Sequence, residues 1–157
     1  MPRTMNDLYF TCGMMDDAID DITLQVLQSE FKPDVILAPL RGGAVPAAFL
    51  SHRLGNTWID DVRIFAFDAE RGNPLSRYAV TRINELLHFG KRLIWIDDIV
   101  DSGGSLKDFF YYIPHAKGVV KTASLIWNED CGIEPDFYSF KISRETFPDY
   151  IEFFWER

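Results

Sequence analysis

Three carboxylates and a hydroxyl-rich turn follow one apolar run, and these residues are the best suited to do chemistry. The run Leu93–Ile96 is followed by Asp97 and Asp98 and, after two more apolar residues, by Asp101. The next residues, Ser102–Ser105, have the sequence Ser-Gly-Gly-Ser and open a predicted helix. Hydroxyls and backbone N–H groups at a helix N-terminus bind phosphate, and carboxylates can hold sugar hydroxyls or a metal–phosphate complex. The segment therefore predicts a sugar-phosphate site.

Two adjacent acids near the end of a buried strand are hard to explain by structure alone. Neighbouring carboxylates repel each other and burial removes their hydration, so this arrangement is unfavourable. The structural alternative is a capped helix start that carries surface acids. We favour the functional interpretation of Asp97 and Asp98.

A second turn with similar chemistry follows the short apolar segment Val35–Ala38. Its residues, Arg41-Gly42-Gly43, combine a permanent positive charge with two glycines that let the backbone approach a phosphate closely. Taken alone, the turn could equally be a tight connection between a strand and a helix. Open α/β sheets, however, bind ligands outside the carboxyl ends of their strands, so two such turns reinforce each other.

The elements around these turns alternate between strands and helices. Strands are predicted over residues 35–38, 62–67, 93–96 and 119–127, helices over 14–30, 44–54 and 106–113, and a short helical turn over 83–87. This order predicts an α/β fold with a mostly parallel twisted sheet flanked by helices. Residues 1–13 are expected to form a loosely held leader. Residues 68–79 are polar and predict an exposed loop that could serve as a lid.

Residues 128–157 differ from the rest in being rich in aromatic side chains and interrupted by Pro135 and Pro148. This segment is too short for a domain of its own, so we interpret it as a small C-terminal hood on a single domain that spans residues 1–157. Most of its aromatic rings are expected in the core. A planar ligand would nevertheless need one of them as a stacking face.

The composition excludes several classes of protein. The chain has 157 residues, of which 47% are hydrophobic and 25% charged, as expected for one globular domain. Its net charge of −8 argues against a nucleic-acid partner. The two cysteines and three histidines have neither disulfide nor metal-ligand spacing. We find no signal peptide and no apolar run that could cross a membrane, so we expect a cytoplasmic protein.

The motif residues resemble a known family, the type I phosphoribosyltransferases. The segment IWIDDIVDSGGS (residues 94–105) resembles the family signature, and VILAPLRGGAVPAAFLSHRLG (residues 35–55) resembles its pyrophosphate loop and following helix. The segments PDFYSF and DYIEFFWE near the C-terminus look like the hood of the 6-oxopurine branch. This resemblance implies Mg²⁺-dependent transfer of phosphoribose from 5-phospho-α-D-ribosyl 1-diphosphate to a base, with release of pyrophosphate.

The resemblance also implies which residues bind the sugar diphosphate. Asp97 and Asp98 would hold the ribose hydroxyls, directly or through Mg²⁺, and Glu156 could bind a second Mg²⁺. The 5′-phosphate would be bound by Ser102, Gly103, Gly104 and Ser105, and the pyrophosphate by Leu40, Arg41, Gly42 and Gly43. Asp101 also belongs to the residues implied to bind the sugar diphosphate. A strained peptide bond is expected before Arg41, and Arg41 and Asp101 would be the catalytic residues.

The base-binding residues implied by the resemblance are Asp101, Trp127, Asn128, Tyr150 and Ile151. Asp101 would act as general acid/base at purine N7, Tyr150 would stack on the base, and Ile151 would supply a backbone contact. Relatives that act on 6-oxopurines usually have a lysine at the end of the last strand, where this chain has Trp127 or Asn128. Transfer to another base, or a non-catalytic nucleotide sensor, therefore remains an alternative. Relatives are usually dimers or tetramers, so a homo-oligomer is expected.

Overall fold

The computed structural model describes residues 7–63, 77–146 and 150–156. The strands in these ranges are β1 (Leu8–Phe10), β2 (Val35–Leu40), β3 (Trp58–Arg63), β4 (Leu93–Val100), β5 (Lys121–Asn128), β6 (Phe137–Ile142) and β7 (Ile151–Phe153). The α-helices are α1 (Cys12–Gln28), α2 (Ala44–Arg53), α3 (Arg77–His88) and α4 (Gly104–Tyr112). Short 3-10 turns lie at Pro114–Ala116, Glu129–Cys131 and Phe154–Glu156.

The main sheet has five parallel strands in the order β3-β2-β4-β5-β6. The predicted mostly parallel α/β fold is therefore confirmed. Because all five strands run the same way, their carboxyl ends lie at one edge of the sheet. The turns after β2 and β4, which the sequence singled out, consequently share this edge with the ends of β5 and β6.

Both faces of the sheet are buried, which explains why its central strands read as continuous apolar runs. Along β4, Ile94 and Ile96 pack in one cluster with the buried faces of α1 and α2. Leu93 and Trp95 point the other way and pack with residues of α3 and α4. A strand covered on both sides holds its carboxyl-terminal turn in a fixed position.

The prediction of a loose leader over residues 1–13 is wrong for its described part. Leu8–Phe10 forms β1, which pairs in parallel with β7 near the other end of the chain. Phe10 is completely buried against the rings of Phe140 and Phe153. The Thr11 hydroxyl then caps α1 by accepting a hydrogen bond from the Met14 N–H at 3.2 Å.

The short helical turn predicted over residues 83–87 is instead part of the longer helix α3. Ala79, Ile83 and Leu86 recur at helical spacing and are buried against the sheet, and this burial extends the helix back to Arg77. Strand β3 begins at Trp58, earlier than predicted. Most of the predicted lid loop lies outside the described residues, and Tyr78 is an exposed side chain of α3.

The predicted hood segment contributes to both sheets. Its strand β6 is the outer strand of the main sheet, whereas its strand β7 joins β1 in a separate two-stranded sheet. The expectation that residues 137–142 form a cap is therefore corrected, because they extend the sheet itself. No helix in the described ranges is long and apolar enough to span a membrane.

Candidate active site

Asp97 and Asp98, which we call the acid pair, lie inside β4 and not after it, since the strand continues to Val100. Each carboxylate accepts a hydrogen bond from the backbone of the next residue. Asp97 Oδ1 accepts from the Asp98 N–H at 3.0 Å, and Asp98 Oδ1 accepts from the Ile99 N–H at 2.7 Å. Burial, followed by the charge of Asp98, raises the pKa of Asp97 well above its ordinary value. The sequence places two carboxylates where the fold makes both negative charges unfavourable.

Burial also raises the pKa of Asp98, although the hydrogen bond from Ile99 partly opposes this rise. The charge of Glu156 contributes to the same increase. Glu156 is held in the last turn of the chain, where its Oε2 accepts from the Phe153 N–H at 3.0 Å. Three predicted metal ligands thus influence one another, although the described residues contain no preformed cluster of three metal-binding side chains.

The turn after β2 lies directly against the acid pair. A Cβ atom added at Gly42 would lie 2.6 Å from Asp98 Oδ2, and one added at Gly43 would lie 2.5 Å from the carbonyl oxygen of Ile96. Only glycine allows this approach of two neighbouring strand ends. The peptide bond between Leu40 and Arg41, which was expected to be unusual, is cis. The Arg41 side chain is exposed at the same edge.

The turn after β4 has the features of a phosphate-binding loop. Gly103 adopts a left-handed conformation with φ of 71°, and α4 begins at the following residue. The Ser102 hydroxyl accepts from the Gly104 N–H at 3.2 Å. A cavity of about 140 Å³ is lined by Asp97 and by residues 99–106, which include all four predicted 5′-phosphate ligands. This is the position at which a helix N-terminus would meet a bound anion.

Lys107 fixes that turn from behind, a contact that the sequence did not reveal. Its ammonium donates to the carbonyl oxygen of Ser102 at 3.2 Å and to that of Cys131 at 2.9 Å. The lysine therefore joins the start of α4 to the turn that follows β5. No spacing pattern around Lys107 indicates this contact, because the lysine and Cys131 are distant in the sequence.

Asp101 forms an ion pair with Arg144, a residue that the sequence interpretation missed. Arg144 Nε lies 2.9 Å from Asp101 Oδ1, and Arg144 Nη2 lies 2.9 Å from Asp101 Oδ2. Arg144 follows β6 by two residues, so it lies at the same sheet edge as the turn after β4. Residues 137–142 were interpreted as part of a hood and not as a strand of the main sheet. No feature of the sequence therefore indicated that Arg144 lies beside Asp101.

The two residues predicted at the end of β5 are both engaged within the protein. The Asn128 amide is buried and donates to the Asp101 carbonyl at 3.0 Å, while its oxygen accepts from the backbone N–H groups of Asp130 and Arg144. The Trp127 indole donates to the carbonyl of Ile133 at 3.0 Å and packs against the ring of Tyr138. Asn128 therefore holds the backbone of Asp101 in position.

The remaining predicted base-binding residues lie on the two-stranded sheet. Ile151 is buried in β7, and the Tyr150 side chain is 55% exposed just before it. The Tyr150 carbonyl accepts from the Leu8 N–H at 2.8 Å, so β1 holds the start of this segment. An exposed ring is free of the main core, and the stacking role of Tyr150 stays a prediction.

Comparison with known proteins finds a family match over most of the chain. The Phosphoribosyl transferase domain family matches residues 11–156. The chain is 28% identical to a xanthine-guanine phosphoribosyltransferase from Idiomarina loihiensis. The aligned region covers 77% of this chain and 70% of that protein.

Two solved structures are similar over almost the whole chain. A purine phosphoribosyltransferase from Pyrococcus horikoshii is 26% identical with a TM-score of 0.71, covering 98% of this chain and 95% of that one. A xanthine-guanine-hypoxanthine phosphoribosyltransferase from Helicobacter pylori has the same TM-score of 0.71 at 20% identity, covering 96% and 94%; at this identity the likeness concerns the fold. The family match covers both glycine-containing turns and the acid pair between them, and the chain belongs to the phosphoribosyl transferase domain family.

Proposed function

We propose that this protein transfers phosphoribose from 5-phospho-α-D-ribosyl 1-diphosphate to a 6-oxopurine with the help of Mg²⁺. The observation that carries the proposal is the contact of Gly42 with the carboxylate of Asp98. This contact brings the turn after β2 against the strand that precedes the turn at Ser102–Ser105, which supports a single site shared by the two turns. A donor with a phosphate at each end of a ribose needs such a divided site, and family membership supports the same donor.

The donor would be held at three points. The turn at Ser102–Ser105 takes the 5′-phosphate in the cavity next to α4, and the turn at Arg41–Gly43 takes the pyrophosphate. Asp97 and Asp98 lie between them and face the ribose. As the bond from C1 to pyrophosphate breaks, positive charge develops on the ribose and negative charge on the leaving group. The carboxylates stabilise the first, and Arg41 with the backbone N–H groups stabilises the second.

The donor set fits Mg²⁺. The raised pKa values of Asp97 and Asp98 describe carboxylates whose negative charge the fold does not compensate, and a divalent cation would supply that compensation. Mg²⁺ is usually bound through one or two carboxylates and the phosphate oxygens of its substrate, so a preformed cage is not needed. When bound, it would neutralise charge on the departing pyrophosphate.

The acceptor would bind beside Asp101. Its carboxylate is 44% exposed even though it is paired with Arg144, so a ligand can reach it. Transfer forms a bond from base nitrogen N9 to ribose C1 while the bond from C1 to pyrophosphate breaks. The base then loses a proton from N7, which Asp101 would accept. The names of the Idiomarina and Pyrococcus relatives support a purine as the base.

The proposal is tested by a panel of bases. We expect the purified protein, given the sugar diphosphate and Mg²⁺, to form nucleotides identified by mass from hypoxanthine, guanine or xanthine. Adenine, uracil and orotate are expected to react much more slowly. If the sugar diphosphate bound but no base gave a nucleotide, the protein would be a nucleotide sensor rather than a transferase.

Gly42→Ala should separate the two sides of the donor site. The added methyl group would lie 2.6 to 2.8 Å from the Asp98 carboxylate, so the turn or the acid must move. We expect kcat/KM for the sugar diphosphate to fall about a hundredfold, because misplaced groups lose most of their effect on the transition state.

Gly13→Ala is the matched control for that variant. Among the described atoms outside its own helix backbone, a Cβ atom at Gly13, inside α1, would meet only the Thr11 hydroxyl oxygen, at 3.8 Å. We expect full activity and a gain of up to about 1 kcal/mol in the free energy of unfolding. Equal kcat/KM values for the two variants would show that the contact between Gly42 and Asp98 is unimportant.

A further inference from the structure

The backbone of the acid pair is held mainly by the neighbouring strand β5. In the described part of the chain, the register of β2 with β4 ends at Trp95, whereas that of β5 with β4 continues to Val100. Asp97 and Asp98 lie between these two residues, so β5 is the strand that pairs with this part of β4. The acid pair needs such support, because two neighbouring negative charges in a buried strand repel each other.

Ser124 lies in β5 directly beside the acid pair and is completely buried. It is the register partner of Asp97. Its hydroxyl oxygen accepts a hydrogen bond from the Val100 N–H at 3.1 Å. The hydroxyl proton has two acceptors within reach, the carbonyl oxygen of Ile126 and that of Asp98 at 3.4 Å. One side chain of β5 therefore contacts the backbone of β4 both within the acid pair and after it.

The turn after β2 confines Asp98 from the other side of β4. A Cβ atom added at Gly42 would lie 2.6 Å from Asp98 Oδ2. The carboxylate of Asp98 is thus limited by this turn, while its backbone is contacted by Ser124. A movement of β4 relative to β5 would therefore change the position of the carboxylate relative to the turn that follows β2.

We propose that Ser124 is a positioning residue for phosphoribose transfer, which fixes the backbone of the acid pair so that both carboxylates face the ribose. This inference rests on the proposed function, because the ribose is the group that the acid pair is proposed to face. The buried hydroxyl does not touch the substrate and acts through the backbone of β4. A displacement of about 1 Å is enough to slow a reaction strongly, so a small movement of the carboxylates matters.

Ser124→Ala tests the proposal because it removes the hydroxyl that accepts from the Val100 N–H. We expect the turnover number to fall about ten- to hundredfold, because the carboxylates are no longer held in place. The dissociation constant of the sugar diphosphate, measured by calorimetry, should change by less than about threefold, since the two turns are proposed to bind its phosphates. Ser124→Cys keeps nearly the size of the side chain but forms weaker hydrogen bonds. Its turnover number should lie between those of the wild type and Ser124→Ala.

Thr122→Val is the matched control. Thr122 lies two residues earlier in β5, and hence on the same face of the sheet, and it is also buried. Its hydroxyl makes two hydrogen bonds of 3.0 Å, both with Asp136. Its register partner is Trp95, which precedes the acid pair. We expect this variant to lower the thermal midpoint of unfolding and to leave the turnover number unchanged.

The outcomes distinguish the inference from the proposed function. Failure of the wild-type protein to form a nucleotide from any base would overturn the proposed function itself. An active wild type with an unchanged turnover number in Ser124→Ala would overturn only the role of Ser124. Equal losses of turnover in Ser124→Ala and Thr122→Val would also overturn that role, because both would then act through the stability of β5.

The cysteine variant separates hydrogen bonding from packing. Full activity in Ser124→Cys together with a loss in Ser124→Ala would contradict the proposal, because the size of the side chain would then explain the loss. A turnover number that falls from serine to cysteine to alanine, with donor affinity preserved, would support it. If Ser124→Ala does not fold at the assay temperature, the turnover number of Ser124→Cys decides, and a value equal to that of the wild type would overturn the proposal.

Discussion

Asp101→Asn is expected to lower the turnover number by about a hundred- to ten-thousandfold, the range found when a general acid or base is removed. Asparagine keeps the shape of the side chain and one oxygen that can accept from Arg144 Nε. It cannot take a proton from the base. We propose that the turns after β2 and β4 bind most of the sugar diphosphate, so its dissociation constant should change by less than about threefold.

Steady-state kinetics and calorimetric binding of the sugar diphosphate would test this prediction together. Asp101→Asn also weakens the ion pair with Arg144, so the thermal midpoint must be measured to show that the variant is folded at the assay temperature. Equal losses in turnover and in donor affinity would mean that Asp101 holds the donor and is not the proton acceptor.

Asp97→Asn is expected to make the protein more stable and nearly inactive at the same time. Burial and the charge of Asp98 raise the pKa of Asp97, so its ionised form opposes folding of the free protein. Asparagine removes that charge and keeps the oxygen that accepts from the Asp98 N–H. We expect a gain of about 0.5 to 2 kcal/mol in the free energy of unfolding at pH 8, typical for relief of a strained functional group.

The same substitution should reduce kcat/KM about a thousandfold, because it removes the carboxylate that we propose to face the developing positive charge and to help hold Mg²⁺. Activity assays on the folded variant would measure this loss. A variant that gained stability and retained full activity would show that Asp97 has no part in transfer.

The pH dependence of this stability gain has a definite sign. A folded pKa above the unfolded value means that the folded protein holds more protons, so stability falls as the pH rises from the unfolded pKa of about 3.9 through the raised folded pKa. The advantage of Asp97→Asn should therefore be small near pH 4 and should grow toward pH 8. Thermal unfolding of both proteins at several pH values would measure it.

Asp60→Asn provides a control with the opposite expectation. Asp60 is also buried, but Arg82 Nε lies 2.8 Å from its carboxylate and compensates its charge. Asp60→Asn removes the negative charge that Arg82 is paired with. This loss should destabilise the protein by about 1 to 3 kcal/mol. If Asp97→Asn were equally destabilising, the acid pair would be a structural feature of the fold.

The doubly wound sheet and its two turns could be predicted because their signals are local. A strand buried on both faces appears as an apolar run, as Leu93–Ile96 does, and a glycine-containing turn follows it directly. The order of strands and helices then fixes a parallel sheet. These local signals are enough to place Asp97, Asp98 and the turn at Ser102–Ser105 at one edge of the sheet.

The parts that could not be predicted depend on contacts between distant segments. Pairing of β1 with β7 joins the two ends of the chain, and three-residue strands carry no periodic signal of their own. Strand β6 has one exposed and several half-buried residues, so it resembles a cap as much as an outer strand. Because β6 was not assigned to the sheet, the position of Arg144 beside Asp101 could not be foreseen.

We propose that the two turns bind one sugar diphosphate and that the acid pair between them allows transfer of its phosphoribose to a purine. The most direct test is phosphorus NMR of a single reaction that contains the protein, the sugar diphosphate, Mg²⁺ and hypoxanthine. We predict that free pyrophosphate and a nucleoside 5′-phosphate appear in equal amounts, and that neither appears with Asp97→Asn. Pyrophosphate released without nucleotide, or a donor that stays unchanged when hypoxanthine, guanine and xanthine are each supplied in this reaction, would contradict this proposal.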